Sequence, residues 1–353
     1  MCKADTKEPP QHPMTVPATE QETAPQFVKA TELKEDFHWV YTDEPHATRR
    51  KLILAKHPEI KQLFGHCPKT KYVVAVVVAL QTYLAIQSPR MSWPAFLAIA
   101  YIIGGTCNHG MMMAMHELSH NLGFKKVLPN RILGIIANLP VAVPSSVSFK
   151  RYHMEHHRYQ GEEGVDVDLP TAIEGKIFNN VFAKVFFVMF QVLFYAFRPM
   201  FVNPKKPGIW ELYNWIACVI YLYFIYTAAG VTGIMYLLVS SLMGTGMHPV
   251  AGHFIAEHYV FILGYETYSY YGILNLFTFN VGYHNEHHDF PYVPGSRLHK
   301  VREIAPEFYD NLPQHESWVG ALWQYVTNPN IGAFSRVKRH NMSDEQKLKM
   351  KCD

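Results

Sequence analysis

Long apolar runs alternate along the chain with polar stretches rich in histidine. The first run, residues 72–87 (YVVAVVVALQTYLAIQ), is short for a membrane span unless it continues toward Met91. Ser88-Pro89-Arg90 then makes a tight turn. Residues 93–115 form the second run, with Trp93 suited to a membrane interface and Gly104-Gly105 to close helix packing. A second pair follows at 210–229 and 233–250, turning at Gly230-Val-Thr-Gly233. The pattern predicts an all-α membrane protein of two transmembrane helical hairpins. Its four spans lie at about 72–91, 93–115, 210–229 and 233–250.

Two further apolar runs are read differently. Residues 132–143 are broken by Gly134 and Pro140 and stop at Pro144, so they suit a re-entrant or interfacial segment. Residues 178–197 are long enough to cross, but Lys184 and Gln191 interrupt them. A crossing there would put the polar stretches before and after it on opposite faces, so an interfacial helix is expected. Lys69, Lys71, Lys125, Lys126 and Arg131 outnumber the single Arg90 of the first hairpin's turn. This charge bias predicts cytosolic termini and a cytosolic cap. Residues 45–64 have helical periodicity and a basic face, and suit either an anionic membrane surface or packing on that cap. The proline-rich residues 1–35 read as a disordered tail, 36–335 as the membrane domain, and 336–353 as a basic tail.

The polar stretches carry the candidate chemistry. Residues 282–290 (GYHNEHHDF) place His284, His287 and His288 on one helical face, and residues 151–158 (RYHMEHHR) repeat the spacing with His153, His156 and His157. His116 and His120 form a simpler box at the end of the second span. A zinc site needs four ligands at most, so eight clustered histidines point to two metals sharing a pocket. Iron suits imidazole, and two irons suit O2-dependent attack on an unactivated C–H bond. A ninth ligand is sought among His248, His253 and His258. His253 is preferred because Gly252 allows its backbone a close approach.

Glu117, Glu155, Glu286, Asp289, Asp166 and Asp168 are either acceptors for ligand N–H groups or solvated. Asn108 and His109, deep in an apolar span, either contact a lipid substrate or bond a neighbouring helix. Tyr268, Tyr270, Tyr271, Phe277 and Phe279 suit packing better than an acyl tunnel.

Composition narrows the class. Of 353 residues, 49% are hydrophobic and only 17% charged, while the mean hydropathy is near zero. A few spans with a large aqueous part fit that balance. A net charge of +3 gives no footprint for nucleic acid. The five cysteines lack metal-site spacing, the N-terminus lacks a signal-peptide pattern, and Cys2 stands where myristoylation needs glycine.

The three boxes and the order of elements resemble the membrane fatty-acid desaturase superfamily. Residues 36–65, 252–259 (GHFIAEHY) and 280–291 (NVGYHNEHHDFP) more closely resemble the sphingolipid Δ4-desaturases, or dihydroceramide desaturases. That resemblance implies a di-iron enzyme converting dihydroceramide to ceramide at carbons 4 and 5. It implies O2 as co-substrate, and NAD(P)H electrons delivered through a reductase and cytochrome b5. No HPGG-type haem motif occurs here, so cytochrome b5 is expected as a separate partner. The resemblance also implies an endoplasmic-reticulum membrane, and Lys349 and Lys351 match a dilysine retrieval pattern. The rival readings are a sphingolipid 4-hydroxylase making phytoceramide, a di-iron hydroxylase of another lipid, and a zinc-binding receptor or ceramide hydrolase.

Overall fold

The computed structural model describes residues 35–340. The expected tail up to residue 34, Cys2 and the dilysine pattern lie outside the described residues. The first long helix, Thr70–Gln87, continues through a 3-10 turn at Ser88–Arg90, giving 21 residues and resolving its apparent shortness. The second, Trp93–Ser119, holds a π-helical turn at Ala100–Gly105. That turn carries Gly104 against Ser240 and Gly105 against the backbone of Gly244. A side chain at either position of the Gly105–Gly244 contact would hold the two helices apart.

Ile209–Thr245 has 37 residues, about 55 Å if straight, too long for one crossing. It breaks at Gly230, whose φ of 61° and ψ of −158° leave the helical region. Two contacts show that the chain doubles back. Before the break, Tyr221 shares a hydrogen bond with Thr82 (2.8 Å), and beyond it the Tyr236 hydroxyl donates to Gln81 (3.2 Å). Adjacent positions of one helix thus meet both arms. The second expected hairpin is present, with its second arm ending at Thr245 instead of 250. With its long apolar helices, the chain is a multi-pass membrane protein.

Residues 127–141 and the helix Ser146–Arg158 meet at 112°, so the chain turns sharply within this apolar stretch. Val181–Val202 is long and apolar enough to cross a membrane. Near its start Lys184 donates to the carbonyls of Asn328 and Ile331. Near its end Arg198 forks onto Glu174, and Asn203, just beyond, donates to Glu155. Both ends are therefore tethered by hydrogen bonds to polar segments outside this helix.

The layer consists of Ser146–Arg158, His284–Asp289, Gly295–Ile304, Trp318–Thr327 and their connections. Trp318, Tyr325, Tyr259, Tyr268 and Tyr270 pack with Phe187 in its largest apolar core. Glu44 caps Pro45–Lys56 by accepting from the His46 and Ala47 amides, and Pro45 supplies its first turn. This helix buries His46 and Ile53 against the layer, so of its two sequence readings the packed one describes it. The folded body also continues past 335. His38–Val40 pairs in parallel with Val337–Arg339, and buried Arg336 donates to Asp168. The start and end of the described chain are thus joined, which local periodicity does not reveal.

Candidate metal centre

Three helical segments present the box histidines. His116 and His120 terminate Trp93–Ser119, His153, His156 and His157 occupy the last turns of Ser146–Arg158, and His284, His287 and His288 fill the six-residue helix His284–Asp289. All eight meet in the layer, with His258 beside them. Five of the imidazoles, His116, His120, His153, His157 and His287, form one group, and His156, His258 and His288 a second.

Their Nε2 atoms face one another. His116 lies 2.9 Å from His287, His287 3.0 Å from His157, His157 3.1 Å from His153, and His153 2.8 Å from His120. A neutral imidazole nitrogen carries one N–H or one lone pair, so it joins one such hydrogen bond. Five nitrogens in a row with four contacts therefore satisfy at most two bonds. In the second group the His258 Nε2 is 3.1 Å from that of His156 and 2.8 Å from that of His284, while the His288 Nε2 is buried without a partner. Converging buried lone pairs that cannot satisfy each other fit cations, and the all-nitrogen donor set fits iron, copper or zinc.

The surrounding contacts hold the rings. Asp166 accepts from His156 through Nδ1, the contact expected of a carboxylate that orients a ligand. Glu257 lies 2.9 Å from the His253 Nδ1 and 3.4 Å from that of His284. Asp289 does not touch a box ring. It takes the His46 ring at 2.8 Å, the Arg49 guanidinium at 2.7 Å and the Tyr309 hydroxyl at 2.9 Å. Burial would raise its pKa, but Arg49 and His46 hold the carboxyl below its ordinary range. The other acidic residues have separate work: Glu117 receives the Gly295 amide, Glu286 receives Ser269 and Tyr271, Glu155 receives Asn203, and Asp168 receives Arg336. Burial pushes the Glu286 carboxyl up to about 7. Glu117 and Glu286 are thus neither solvated nor bonded to a ligand ring.

His253 falls outside both groups. Its Nε2 is 2.9 Å from that of His109, whose Nδ1 meets the Gly244 carbonyl at 2.9 Å. Gly252, the reason for preferring His253, packs against the Trp318 carbonyl, where an added Cβ would lie 2.6 Å from the oxygen. Asn108 is fully engaged: its oxygen accepts from Gln81 and its amide donates to Pro140, Leu237 and Ser241. Asn108 and His109 therefore bond neighbouring segments, the second of their two readings. The sequence reading passed over His46 and counted Arg49 in the basic face suited to an anionic membrane surface, whereas its guanidinium meets Asp289 and Asn285. The available signal was a histidine and an arginine one helical turn apart.

Comparison with known proteins follows the same lines. A family model described as fatty acid desaturase matches residues 91–318, and one described as sphingolipid Delta4-desaturase matches residues 34–69, which include His46 and Arg49. The chain is 52% identical over 306 residues to a sphingolipid delta(4)-desaturase, DES1, of Drosophila melanogaster, covering 86% of this chain and 95% of that one. It is 50% identical over 313 residues to the Homo sapiens DES1, covering 88% and 97%. A DES1-like protein of Oryza sativa subsp. japonica is 52% identical over 310 residues, covering 86% and 93%.

Proposed function

This chain belongs to the sphingolipid Δ4-desaturase family, and we propose that it converts dihydroceramide to ceramide by removing hydrogen from carbons 4 and 5 of the long-chain base. The observation that carries the chemistry is the convergence of buried and half-buried imidazoles in two groups. His116, His120, His153, His157 and His287 would hold one iron. His156, His258 and His288, with His284 adjoining, would hold the other, so His258 replaces His253 as the ninth ligand.

Bound iron supplies O2-dependent oxidation strong enough for an unactivated C–H bond. The reaction balances when O2 becomes two waters, with two electrons from the substrate and two from NAD(P)H. The protein's own residues orient and shield the centre. Asp166 fixes the tautomer and plane of His156. Asp289, held by His46, Arg49 and Tyr309, anchors the end of the helix that carries His287 and His288. The second-group rings, His156, His258 and His288, are all buried, which excludes bulk water.

The long apolar hairpins support a position for this layer at a membrane surface. We assign it and both termini to the cytosolic face of the endoplasmic reticulum, with the helix Val181–Val202 lying in the interface. Its two tethered ends and the charge bias of the first hairpin support that placement. A reductase and cytochrome b5 would deliver the electrons from that side.

The test expresses the chain in cells lacking their own Δ4 activity. Their membranes receive labelled dihydroceramide, NADH and O2, and products are resolved by mass spectrometry. Ceramide is the expected product. Phytoceramide as the main product would shift the reaction to 4-hydroxylation. Neither product from inserted, iron-loaded protein would overturn the substrate assignment.

A further inference from the structure

Beside the metal layer lies a cavity of about 420 Å³ between the helices that carry the first and second boxes. That volume falls within the usual range for small-molecule sites, roughly 300–1,000 Å³. Its floor is apolar, formed by Met115 and Leu118 from the first box helix and Val147 and Met154 from the second. None of the nine clustered histidines lines it.

The rim is cationic. Arg131, Lys150, Arg151 and Lys206 stand around the opening with one carboxylate, Glu211. That carboxylate is already committed: it accepts from Arg151 at 2.9 Å and from the Gly208 amide at 2.9 Å. Lys150 donates to the neutral side chain of Asn121, and Arg131 lies over the Trp210 ring at 5.2 Å. Among the described residues no carboxylate pairs with Arg131, Lys150 or Lys206. Burial and then the Arg131 charge bring Lys150 down to about 8, as expected for two cations facing one space. Trp210 starts a membrane helix, and Val127, Leu128 and Ile132 beside the opening are exposed, so the mouth stands at lipid level.

Three unmatched cations over an apolar floor suit an amphiphile with an anionic head. Dihydroceramide, whose head is a neutral amide diol, leaves them unused. We propose that this cavity binds a phosphate-bearing lipid, its acyl chain on the methionine and leucine floor and its phosphate between Arg131 and Lys150. Arg131 offers the forked donor that suits phosphate oxygens, and Lys150 and Lys206 add charge. The proposal stands apart from the reaction, and binding alone tests it.

The experiment is native mass spectrometry of the full chain in neutral detergent, titrated with palmitoyl lysophosphatidic acid. One lipid per chain is expected, with lysophosphatidylcholine and dihydroceramide failing to displace it. Arg131→Gln and Lys150→Gln should each weaken binding about tenfold, the loss of one charge-assisted contact, while Arg131→Lys loses less. Lys125→Gln, which removes a nearby charge outside the cavity, should leave binding unchanged. Met154→Trp, which fills the floor, should abolish lipid binding. Inorganic phosphate separates the two sources of the anion: needing far higher concentration than the lipid supports a lipid site, and displacing it at equal concentration overturns one. Equal losses from Lys125→Gln and Lys150→Gln, or equal binding of the zwitterionic lipid, would also overturn it. The wild-type competition decides even if a variant fails to fold.

Discussion

The His46 Nδ1 lies 2.8 Å from the Asp289 Oδ1, across 243 positions of sequence, and the other ring nitrogen meets Thr267 at 3.0 Å. One imidazole thus ties the N-terminal helix to the residue that follows the third histidine box. Its ring centroid stands 4.8 Å from that of His288.

Removing the partner of a buried charge costs more than the pair contributes, because the remaining charge stays desolvated. Arg49→Ala leaves Asp289 with His46 and Tyr309 alone. The expected loss is about 3 kcal/mol of stability. It should appear as a lower melting temperature in detergent and reduced iron retention. Arg49→Lys, which keeps charge but loses the guanidinium fork onto Asp289 and Asn285, should fall between. Unchanged melting and metal content in Arg49→Ala would remove the network from the account.

Gly244→Ala tests the helix crossing. Its new Cβ meets the Gly105 carbonyl, which is backbone and cannot rotate away. Overpacking of this kind costs about 1–3 kcal/mol. Size-exclusion profiles of heated samples should show earlier loss of the monodisperse protein. Gly264→Ala, where no atom stands within 4 Å of an added Cβ, measures the separate cost of a left-handed backbone (φ +89°).

The pH response follows from Glu174, which Arg198 grips with two nitrogens. Burial raises its carboxyl, but the Arg198 hydrogen bonds outweigh burial and hold it below the usual 4.5. A carboxyl depressed in the fold binds its proton more readily when unfolded. Its contribution is therefore present above the unfolded value and lost as pH falls below 4.5 through the folded value. Melting temperatures from pH 7 to 3 should show a steeper acid limb for wild type than for Glu174→Gln. Parallel limbs would exclude this pair as a source of acid lability.

What could be read in advance was the part written in local periodicity. The three boxes met because each lies on one helical face, and the Ile209–Thr245 hairpin followed from its length and Gly230. His258 was harder. Helical geometry holds only over His253–Ala256, and the chain turns immediately afterwards, so spacing from His253 says little about where His258 points. The close neighbour of Gly252 is Trp318, from a segment far along the chain, which spacing does not reveal either. The partners of Asp289, Glu117 and Arg336 come from distant segments and leave no periodic trace. The pairing of His38–Val40 with Val337–Arg339 is equally silent.

The central claim is that two imidazole groups, including His258 and excluding His253, form the reaction centre. The most direct measurement takes iron content and ceramide formation together for purified wild type, His258→Ala and His253→Ala. The account predicts two irons per chain in wild type. It predicts loss of about one iron and all ceramide formation in His258→Ala, with both irons kept in His253→Ala. Iron lost from His253→Ala but retained in His258→Ala, or zinc in place of iron in the active wild type, would contradict it.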